Sequence, residues 1–378
     1  MQQLNSSMWI YTQKEWPNFT WDTDTILLKV SDVSFKHGKL IGAMEQLGFD
    51  FQNEASLKSL TTEVLTTSAI EGESLDQDQV RSSIAKRLGM PLSGLVTSSP
   101  DIDGVVEMML DATQNPYDPL SLKKLFDWHC SLFPTGRSGM RSLKVGDFRT
   151  SKSGPMQVVS GAYGHEKVHF EAPPANRLKF EMTRFIEWFN KPLEPTMDLF
   201  VKSAIAHFWF VTIHPFEDGN GRIARALADK ILCQKDGIKK RFYSMSSQII
   251  AKRKSYYEAL EKQQKSTLDI TPWIFWFLEC LENTFDYNQN ILSGVLYKAK
   301  LWDKINLHPV NERQRLIINK MLEPDFVGFM NTSKYAKLAK CSTDTALRDI
   351  TGLKSRGIFL QNESSGRSTS YRLLNDLG

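Results

Sequence analysis

The most constraining feature of the chain is a polar loop that directly follows a strongly apolar helix pattern. The stretch "DLFVKSAIAHFWFVTI", residues 198–213, is apolar on nearly every side, which predicts a buried central helix. Because Pro215 disfavours helical geometry at the preceding residue, this helix is expected to end at His214. The loop "HPFEDGNGRIAR" then places one histidine, two acids and two arginines within 12 residues. The fold therefore has to present a dense polar loop at the end of a buried helix.

The Gly-Asn-Gly turn of this loop predicts an anion-binding site. Gly219 and Gly221 flank Asn220, so successive backbone N–H groups can turn into one concavity at the start of a new helix. Arg222 and Arg225 are three residues apart on that helix and project from one face, where guanidinium groups suit phosphate oxygens. The expected ligand is a polyphosphate.

Asp218 and His214 give the loop two further roles. Magnesium commonly takes one carboxylate together with phosphate oxygens and waters, so Asp218 with a nucleotide is a sufficient Mg²⁺ site. Placed beside a phosphate, with its pKa near the working pH, His214 is suited to take the proton from an attacking hydroxyl. The alternative is a structural corner whose charges pair with one another, but exposed pairs contribute only about 0 to 1 kcal/mol. His207, on the buried helix, is expected to be a core histidine.

The composition says little about the function of the protein, but it limits the structural class to which the protein is expected to belong. The chain has 378 residues and is 41% hydrophobic, enough for two or three domains with a substantial core. No stretch reaches the roughly 18 uncharged apolar residues of a membrane span, and no secretion signal precedes the first pattern, so a soluble protein without membrane contact is expected. The four cysteines are far apart and form no CxxC pair. This spacing suggests neither zinc nor disulfides and favours a reducing cytoplasm.

The patterns along the chain predict a mainly α protein with three parts. The first part, residues 1–110, opens with an aromatic irregular segment anchored by Trp9, Tyr11, Trp16 and Trp21. Three helices are expected to follow, from after the cap Asp22 to Leu47, from about Asn53 to Ile70, and after a cap at Ser74 or Asp76.

The second part, residues 111–300, is predicted to be a helical core with one small β-hairpin. The hairpin runs from Pro155 to Phe170 with a turn containing Gly161 and Gly164. The predicted helices are the amphipathic stretch at 177–190, the buried helix, and patterns at about 220–234, 246–264 and from Thr271 onwards. The third part, residues 305–378, reads as three helices (Glu312–Leu322, Thr332–Ala339 and Ser342–Ser355) and a terminal strand pair, which is typical of a winged-helix domain.

The loop at 214–225 resembles the signature of the Fic family without a departure. The resemblance implies a Fic-type core over about residues 121–281 and transfer of AMP from ATP to a Ser, Thr or Tyr hydroxyl of a protein, with release of pyrophosphate. It implies these roles: His214 as general base, Phe216 as loop anchor, Asp218 as Mg²⁺ ligand, and Gly219, Gly221, the side chain of Asn220 and Arg222 as phosphate ligands.

The hairpin resembles the family's flap, which aligns an extended target segment by adding it as a strand. On this resemblance Ser160 and Gly161 are expected to touch the nucleotide. Tyr257 and Gln264 are expected to line the adenine side.

The segment "TTSAIEGES", residues 66–74, resembles the inhibitory motif of Fic proteins that carry it ahead of the core. The resemblance implies that Glu71 pairs with Arg225 and occupies the arginine that would otherwise hold the γ-phosphate. The alternative is an ordinary cap for the helix that starts after Ser74.

The C-terminal part carries the basic excess of the chain. From Ile305 onwards there are 11 Lys/Arg against 7 Asp/Glu, which equals the whole chain's net charge of +4. In the expected recognition helix, Ala346, Leu347, Ile350 and Leu353 form an inner face and Thr345, Arg348 and Lys354 point outwards, with Arg367 and Arg372 near the wing. The outward residues of this helix, together with those near the wing, are expected to contact DNA or a protein.

Several functions stay open from the sequence. The first is the AMP transferase described above, with ATP, Mg²⁺ and a hydroxyl-bearing protein as partners, the chain itself included. The second is a DNA-binding regulator that uses the Fic core as a nucleotide sensor. Transfer of another nucleotide or of a phosphate, removal of AMP, and assembly as a homodimer are further candidates.

Overall fold

The computed structural model describes residues 9–90, 94–151, 154–161, 167–237, 240–307, 309–322, 326–362 and 369–374. Within these ranges the side chains of residues 50, 290–300 and 303–304 are not described. The chain divides into two compact units, Met1–Gln289 and Asn290–Gly378. The division falls inside a long helix, ahead of the boundary that the sequence predicts at residues 300–305.

The described chain is mainly α-helical, as the sequence predicts. A 3₁₀ turn (Ile10–Thr12) precedes the helices of the first unit, which are α1 (Thr23–Glu45), α2 (Phe49–Ile70), α3 (Gln77–Arg87), α4 (Pro100–Gln114), α5 (Leu122–Leu132), α6 (Leu178–Asn190), α7 (Leu199–Ile213), α8 (Asn220–Asp236), α9 (Met245–Ala251) and α10 (Arg253–Gln264). Helix α11 (Thr271–Ile305) crosses into the second unit, which continues with α12 (Glu312–Met321), α13 (Thr332–Ala339) and α14 (Thr343–Ser355).

The strands form three small antiparallel pairs in the described ranges. They are β1 (Arg137–Ser138) with β2 (Arg141–Ser142), β3 (Gln157–Ser160) with β4 (Lys167–Glu171), and β5 (Phe359–Gln361) with β6 (Tyr371–Leu373). The second pair is the predicted hairpin, although Gly164 of its turn lies outside the described residues.

Helix boundaries follow the capping chemistry of the sequence. Asp22 caps α1 by accepting from the N–H groups of Asp24 and Thr25. Asp76, and not Ser74, caps α3 by accepting from the N–H of Gln79. Two predicted boundaries differ from the structure. Helix α2 starts at Phe49 instead of about residue 53, and the single helix predicted at 246–264 is two helices that meet at Lys252.

Helix α7 is the centre of the first unit. Every one of its residues from Phe200 to Ile213 is buried, because α7 packs against α6 and α8. In addition, the indole N–H of Trp273 donates to the carbonyl of Ala204 at 2.8 Å. His207 is the predicted core histidine, with Nε2 at 2.8 Å from the hydroxyl of Tyr256. A polar loop at the end of such a helix is held by rigid surroundings.

The N-terminal aromatic segment packs onto the base of the hairpin. The rings of Trp9 and Tyr11 meet Phe170 of β4 edge-on, with centroid distances of 5.3 and 6.2 Å. Trp16 donates its indole N–H to the buried Glu181 of α6 at 3.0 Å. The segment therefore joins the hairpin base to the helical core.

The second unit has a core of its own. Tyr335 of α13, Ile350 of α14 and Phe359 of β5 are almost fully buried in it, together with Trp302 and Ile305 of α11. Its helix and strand order agrees with the sequence-based prediction.

One predicted inner residue of α14 lies on its outer face. Ala346, Ile350 and Leu353 are buried, but Leu347 is 51% exposed. It therefore lies outwards, on the same side as its neighbour Arg348, which is also exposed. Arg367 lies outside the described residues. Within the described ranges, no helix combines the length and the apolar character that crossing a membrane requires.

Candidate functional site

His214 ends α7 in a left-handed conformation. Its φ and ψ are 52° and 59°, a region that residues other than glycine rarely adopt, and its N–H donates to Phe210 O at 3.0 Å. Nδ1 lies 3.1 Å from the carbonyl of Val211. Because a carbonyl can only accept, Nδ1 carries the proton and Nε2 keeps a lone pair. The neutral imidazole is therefore held in the tautomer in which Nε2 is able to accept a proton.

The buried Arg149 holds this corner in place. Its Nε donates to the carbonyl of His214 at 2.7 Å and its Nη2 donates to that of Pro173 at 2.6 Å. Its own N–H donates to the carbonyl of Pro215 at 3.0 Å. The bonds to His214 and Pro215 satisfy carbonyls at the end of α7, which a helix leaves without partners, and the bond to Pro173 ties this corner to the segment before α6. Sequence reasoning missed Arg149, since nothing local in "GDFRT" links it to a loop 65 residues away.

We expect Arg149→Ala to lower the turnover of this site by about 10- to 100-fold, because a small misplacement of a reacting group is costly. Affinity for a phosphate ligand should change little, since Arg149 binds only main-chain carbonyls. Steady-state kinetics that separate kcat from KM check this. Arg149→Lys is the matched control, because it keeps the positive charge but loses the planar guanidinium group that donates to several carbonyls at once. A loss confined to KM would contradict the positioning role.

Burial sets the charge state of His214. Removal from water, together with the charge of Arg149, lowers the pKa of the imidazole to about 4, against the opposing effects of the bond to Val211 and the charges of Glu71 and Asp218. This value is that of the free protein, so a pKa near the working pH for the imidazole beside a phosphate stays a prediction. The imidazole is neutral at pH 7 and is competent to accept a proton. An anion bound beside it would raise the pKa again.

The Gly-Asn-Gly turn is built differently from the prediction in two respects. The side chain of Asn220 binds the backbone of Phe216 and is not directed at a phosphate. Its Oδ1 accepts from the N–H of Phe216 at 3.0 Å, and its Nδ2 donates to the carbonyl of Phe216 at 2.9 Å. The N–H of Gly219 donates to Oδ1 of Asp218 at 2.6 Å. The first intrahelical bond runs from Ile223 to Gly219. The amides from Asn220 to Arg222 precede that bond and have no helical acceptor.

Two close contacts fix the loop. Phe216 is fully buried, as expected for a loop anchor, and its ring stacks on His129 with centroids 4.2 Å apart. Gly219 has a φ of +78°, and a Cβ there would lie 2.9 Å from the ring of Phe133. A side chain at this position would therefore be strained and crowded.

The predicted partners Glu71 and Arg225 lie together. Nη2 of Arg225 donates to Oε1 of Glu71 at 2.7 Å, while Nε and Nη2 also donate to the hydroxyl and carbonyl of Thr67 at 2.7 and 2.8 Å. The carboxylate of Glu71 also crowds the turn, since a Cβ on Gly221 would lie 2.1 Å from its Oε1. An anionic group thus already lies against the first turn of α8, where the helix dipole favours negative charge.

A cavity of about 890 Å³ opens beside this loop. The described lining contains these predicted residues: Glu71, Ser160, His214, Gly221, Tyr257 and Gln264. It does not contain Gly161, Asp218, Gly219, Asn220, Arg222 or Arg225. The structure therefore brings His214, Gly221 of the turn, Tyr257 and Gln264 to one cavity, and leaves the two arginines buried outside its lining.

The lining of the cavity contains two polar residues that sequence reasoning missed, His169 on the hairpin and Glu261 on α10. Nε2 of His169 lies 2.5 Å from the hydroxyl of Ser160, and Nδ1 lies 2.6 Å from Oε2 of Glu261 on α10. The strand register shifts between Val158 and Val159, opposite His169. Such a bulge re-aims a side chain, so alternation along the strand could not have revealed this contact.

Asp218 is the one predicted metal ligand. It is partly exposed and uses Oδ1 to accept the N–H of Gly219. The described residues include no group of three or more His, Cys, Asp or Glu side chains that could hold a metal ion. A single carboxylate still fits Mg²⁺ when phosphate and water oxygens complete the shell.

Two protein-family models match the chain. Residues 119–232, which contain α5 to most of α8 and the loop, match the Fic/DOC family. Residues 9–90 match a domain of unknown function, DUF4172. The second match covers the segment that carries Glu71.

Curated relatives include two insect proteins called protein adenylyltransferase Fic. The one from Culex quinquefasciatus is 26% identical over 221 residues, 57% of this chain and 39% of the relative. The one from Drosophila yakuba is 33% identical over 134 residues, 34% of this chain and 25% of the relative. The chain thus spans about two fifths or less of the length of the curated relatives it matches.

Solved structures share the fold at low sequence identity. A Fic family protein from Desulfovibrio desulfuricans G20 aligns over 94% of this chain and 98% of its own, with a TM-score of 0.55 and 20% identity. A Fic domain containing signaling protein from Bacteroides thetaiotaomicron VPI-5482 covers 70% and 97%, with a TM-score of 0.50 and 21% identity. Residues 119–232 thus match the Fic/DOC family model, and the chain shares its fold with solved Fic proteins.

Proposed function

We propose that the protein transfers AMP from ATP to the hydroxyl of a Ser, Thr or Tyr side chain in a protein. The observation that carries the proposal is the cavity of about 890 Å³ that His214 and the Gly221 end of α8 share. It combines a neutral base with a helix N-terminus that favours phosphate. The curated names of the relatives, which are protein adenylyltransferases, support the same chemistry.

In the proposed reaction His214 accepts the proton of the target hydroxyl at Nε2. The hydroxyl oxygen then forms a bond to the α-phosphorus of ATP, and the bond from that phosphorus to the α,β-bridging oxygen breaks. Pyrophosphate leaves with the electron pair of the broken bond. The amides of the first turn of α8 favour the negative charge of the phosphates, and Arg222 and Arg225 supply guanidinium groups for the outer ones.

Mg²⁺ would be held by Asp218 together with phosphate oxygens. Its chemistry when bound is to neutralise charge on the phosphates. Asp218 contributes one carboxylate that is already oriented by the N–H of Gly219. No other residue is assigned to the ion.

The hairpin is proposed to hold the target. In the described chain β3 pairs only with β4, so its other edge is able to receive an extended segment. The strand β4 is attached to α10 through the contact of His169 with Glu261. Because the hairpin lines the cavity, a segment added to β3 would run past His214.

The test is to incubate the Glu71→Gly protein and Mg²⁺ with a cell lysate and ATP labelled at the α-phosphate, followed by mass spectrometry of the labelled proteins. We expect the mass of AMP on Ser, Thr or Tyr, absent when His214 is also replaced. Label from γ-phosphate, or from another nucleotide in preference to ATP, would instead indicate transfer of phosphate or of that nucleotide. Loss of label from AMP-modified protein would indicate AMP removal.

The second unit is proposed to be a winged-helix module that contacts a protein. The order α12, α13, α14, β5, β6 supports this fold. On the outer side of α14, Leu347 is 51% exposed next to Arg348, and Lys354 is exposed as well, with its ammonium donating to Gln361 at 2.7 Å. An exposed apolar side chain with one neighbouring arginine suits a protein surface better than a DNA backbone. Specific, salt-dependent DNA binding by the whole chain would contradict this.

A further inference from the structure

The carboxylate of Glu73 binds the other arginine of the loop. Nη1 of Arg222 donates to Oε2 of Glu73 at 2.6 Å. The resemblance to a known inhibitory motif concerns Glu71 and Arg225 and assigns no role to Glu73. Both arginines of α8 are thus engaged by carboxylates from a single turn, residues 71–73.

The backbone fixes where Glu73 lies. At the end of α2 the N–H of Glu73 donates to Ser68 O and that of Gly72 donates to Ala69 O, both at 3.0 Å. Gly72 has a φ of +88°, so this is the left-handed helix end called a Schellman motif. One of these bonds ties Glu73, and the other ties Gly72, to the helix that carries Glu71, so a movement of this turn would displace both carboxylates.

The two arginines are not held equally. Arg225 has two hydrogen bonds to Thr67 besides its contact with Glu71. The side chain of Arg222 is 2% exposed and lies over the ring of Phe133 at 5.1 Å. Its Nε and Nη2 are buried without a hydrogen-bond partner in the described part of the chain. A buried guanidinium with two idle donors is a site for an anion, since an unsatisfied buried charge is costly.

We propose that Glu73 occupies Arg222 in competition with an outer phosphate of the nucleotide, as a second carboxylate beside Glu71. The inference rests on the proposed function in that the competing anion is ATP. A nucleotide with outer phosphates has to displace Glu73 from Arg222, whereas AMP does not reach this arginine. Glu73 therefore selects against binding of ATP until the 71–73 turn moves.

Glu73→Gln tests this in the full chain, because glutamine keeps the shape and an acceptor oxygen but removes the charge. We expect ATP with Mg²⁺ to bind on the order of tenfold more tightly, a usual size for coupling between competing ligands. The affinity for AMP should stay unchanged. Isothermal titration calorimetry with both nucleotides measures the two constants. Glu54→Gln, on the exposed side of α2, removes the same charge away from the arginines and is the matched control.

The outcomes separate the second carboxylate from the proposed function. Equal ATP affinity in wild type, Glu73→Gln and Glu54→Gln would overturn the role of Glu73, and so would an equal gain for AMP and ATP. If Glu73→Gln tightens ATP binding but no variant transfers AMP, the competition stands and the proposed function fails. If AMP transfer depends on His214 while Glu73→Gln changes no affinity, the proposed function stands and this inference fails.

Discussion

Replacing His214 by alanine is expected to lower AMP transfer by about 10²- to 10⁴-fold, the usual contribution of a positioned general base. The neutral imidazole keeps its lone pair on Nε2 because Nδ1 is bound to Val211 O. The affinity for ATP should stay near the wild-type value, since the amides at the start of α8 do not depend on this side chain. Incorporation of α-labelled phosphate measures the rate, and calorimetry measures the affinity.

A second variant separates loss of the base from loss of the left-handed corner. Alanine is strained at a φ of 52°, whereas asparagine adopts this region more readily, so His214→Asn keeps the corner but has no basic nitrogen. Both variants should lose the same activity. Full activity of His214→Asn would remove the base from the mechanism.

The pH profile gives an independent readout of the same base. The imidazole pKa of about 4 in the free protein lies below its ordinary value, so the base form persists as pH falls. In the wild type kcat/KM should therefore be level between pH 8 and about 5 and should fall only below that, as His214 becomes protonated. The residual rate of the His214 variants should lack this acidic limb.

Local chemistry made some of the fold predictable. Asp22 and Asp76 are side-chain caps at two helix starts, and Pro215 ends α7 where the sequence indicates. The break at Lys252 has no glycine or proline near it, so helical periodicity alone reads α9 and α10 as one helix. Helical spacing predicts Leu347 on the inner face of α14, but a leucine can lie on the outside of a small domain without a local signal.

The residues of the site and one of its contacts, between Glu71 and Arg225, were predictable, but most of its contacts were not. His214, Gly221 and Glu71 line one cavity although 143 positions separate Glu71 from His214. The use of Asn220 to close the loop, and of Arg149 to hold it, depends on which backbone groups the fold leaves without partners. These hydrogen-bond partners can be identified only in the three-dimensional structure, because a buried polar group is satisfied by the groups that the fold places beside it. The same reason hid Glu73, whose partner is 149 residues away.

Replacing Glu71 by glycine is expected to raise AMP transfer on the order of 10²-fold, the effect that a displacement of about 1 Å at a reacting centre can have. The carboxylate now lies against the Gly221 turn and holds Nη2 of Arg225. Its removal opens both to the phosphates of ATP. Initial rates of AMP incorporation in wild type and Glu71→Gly, at saturating ATP and Mg²⁺, measure the gain.

The gain depends on Arg225 staying in place after Glu71 is gone. Thr67 supplies that support, because its hydroxyl and carbonyl accept from Nε and Nη2 at 2.7 and 2.8 Å, while Nη1 has no partner in the described chain. The freed guanidinium is thus already oriented for a phosphate. Thr67→Val together with Glu71→Gly should therefore lose most of the gain, whereas Glu54→Gln with Glu71→Gly should keep it. Equal rates in wild type and Glu71→Gly would show that this carboxylate does not restrain the reaction.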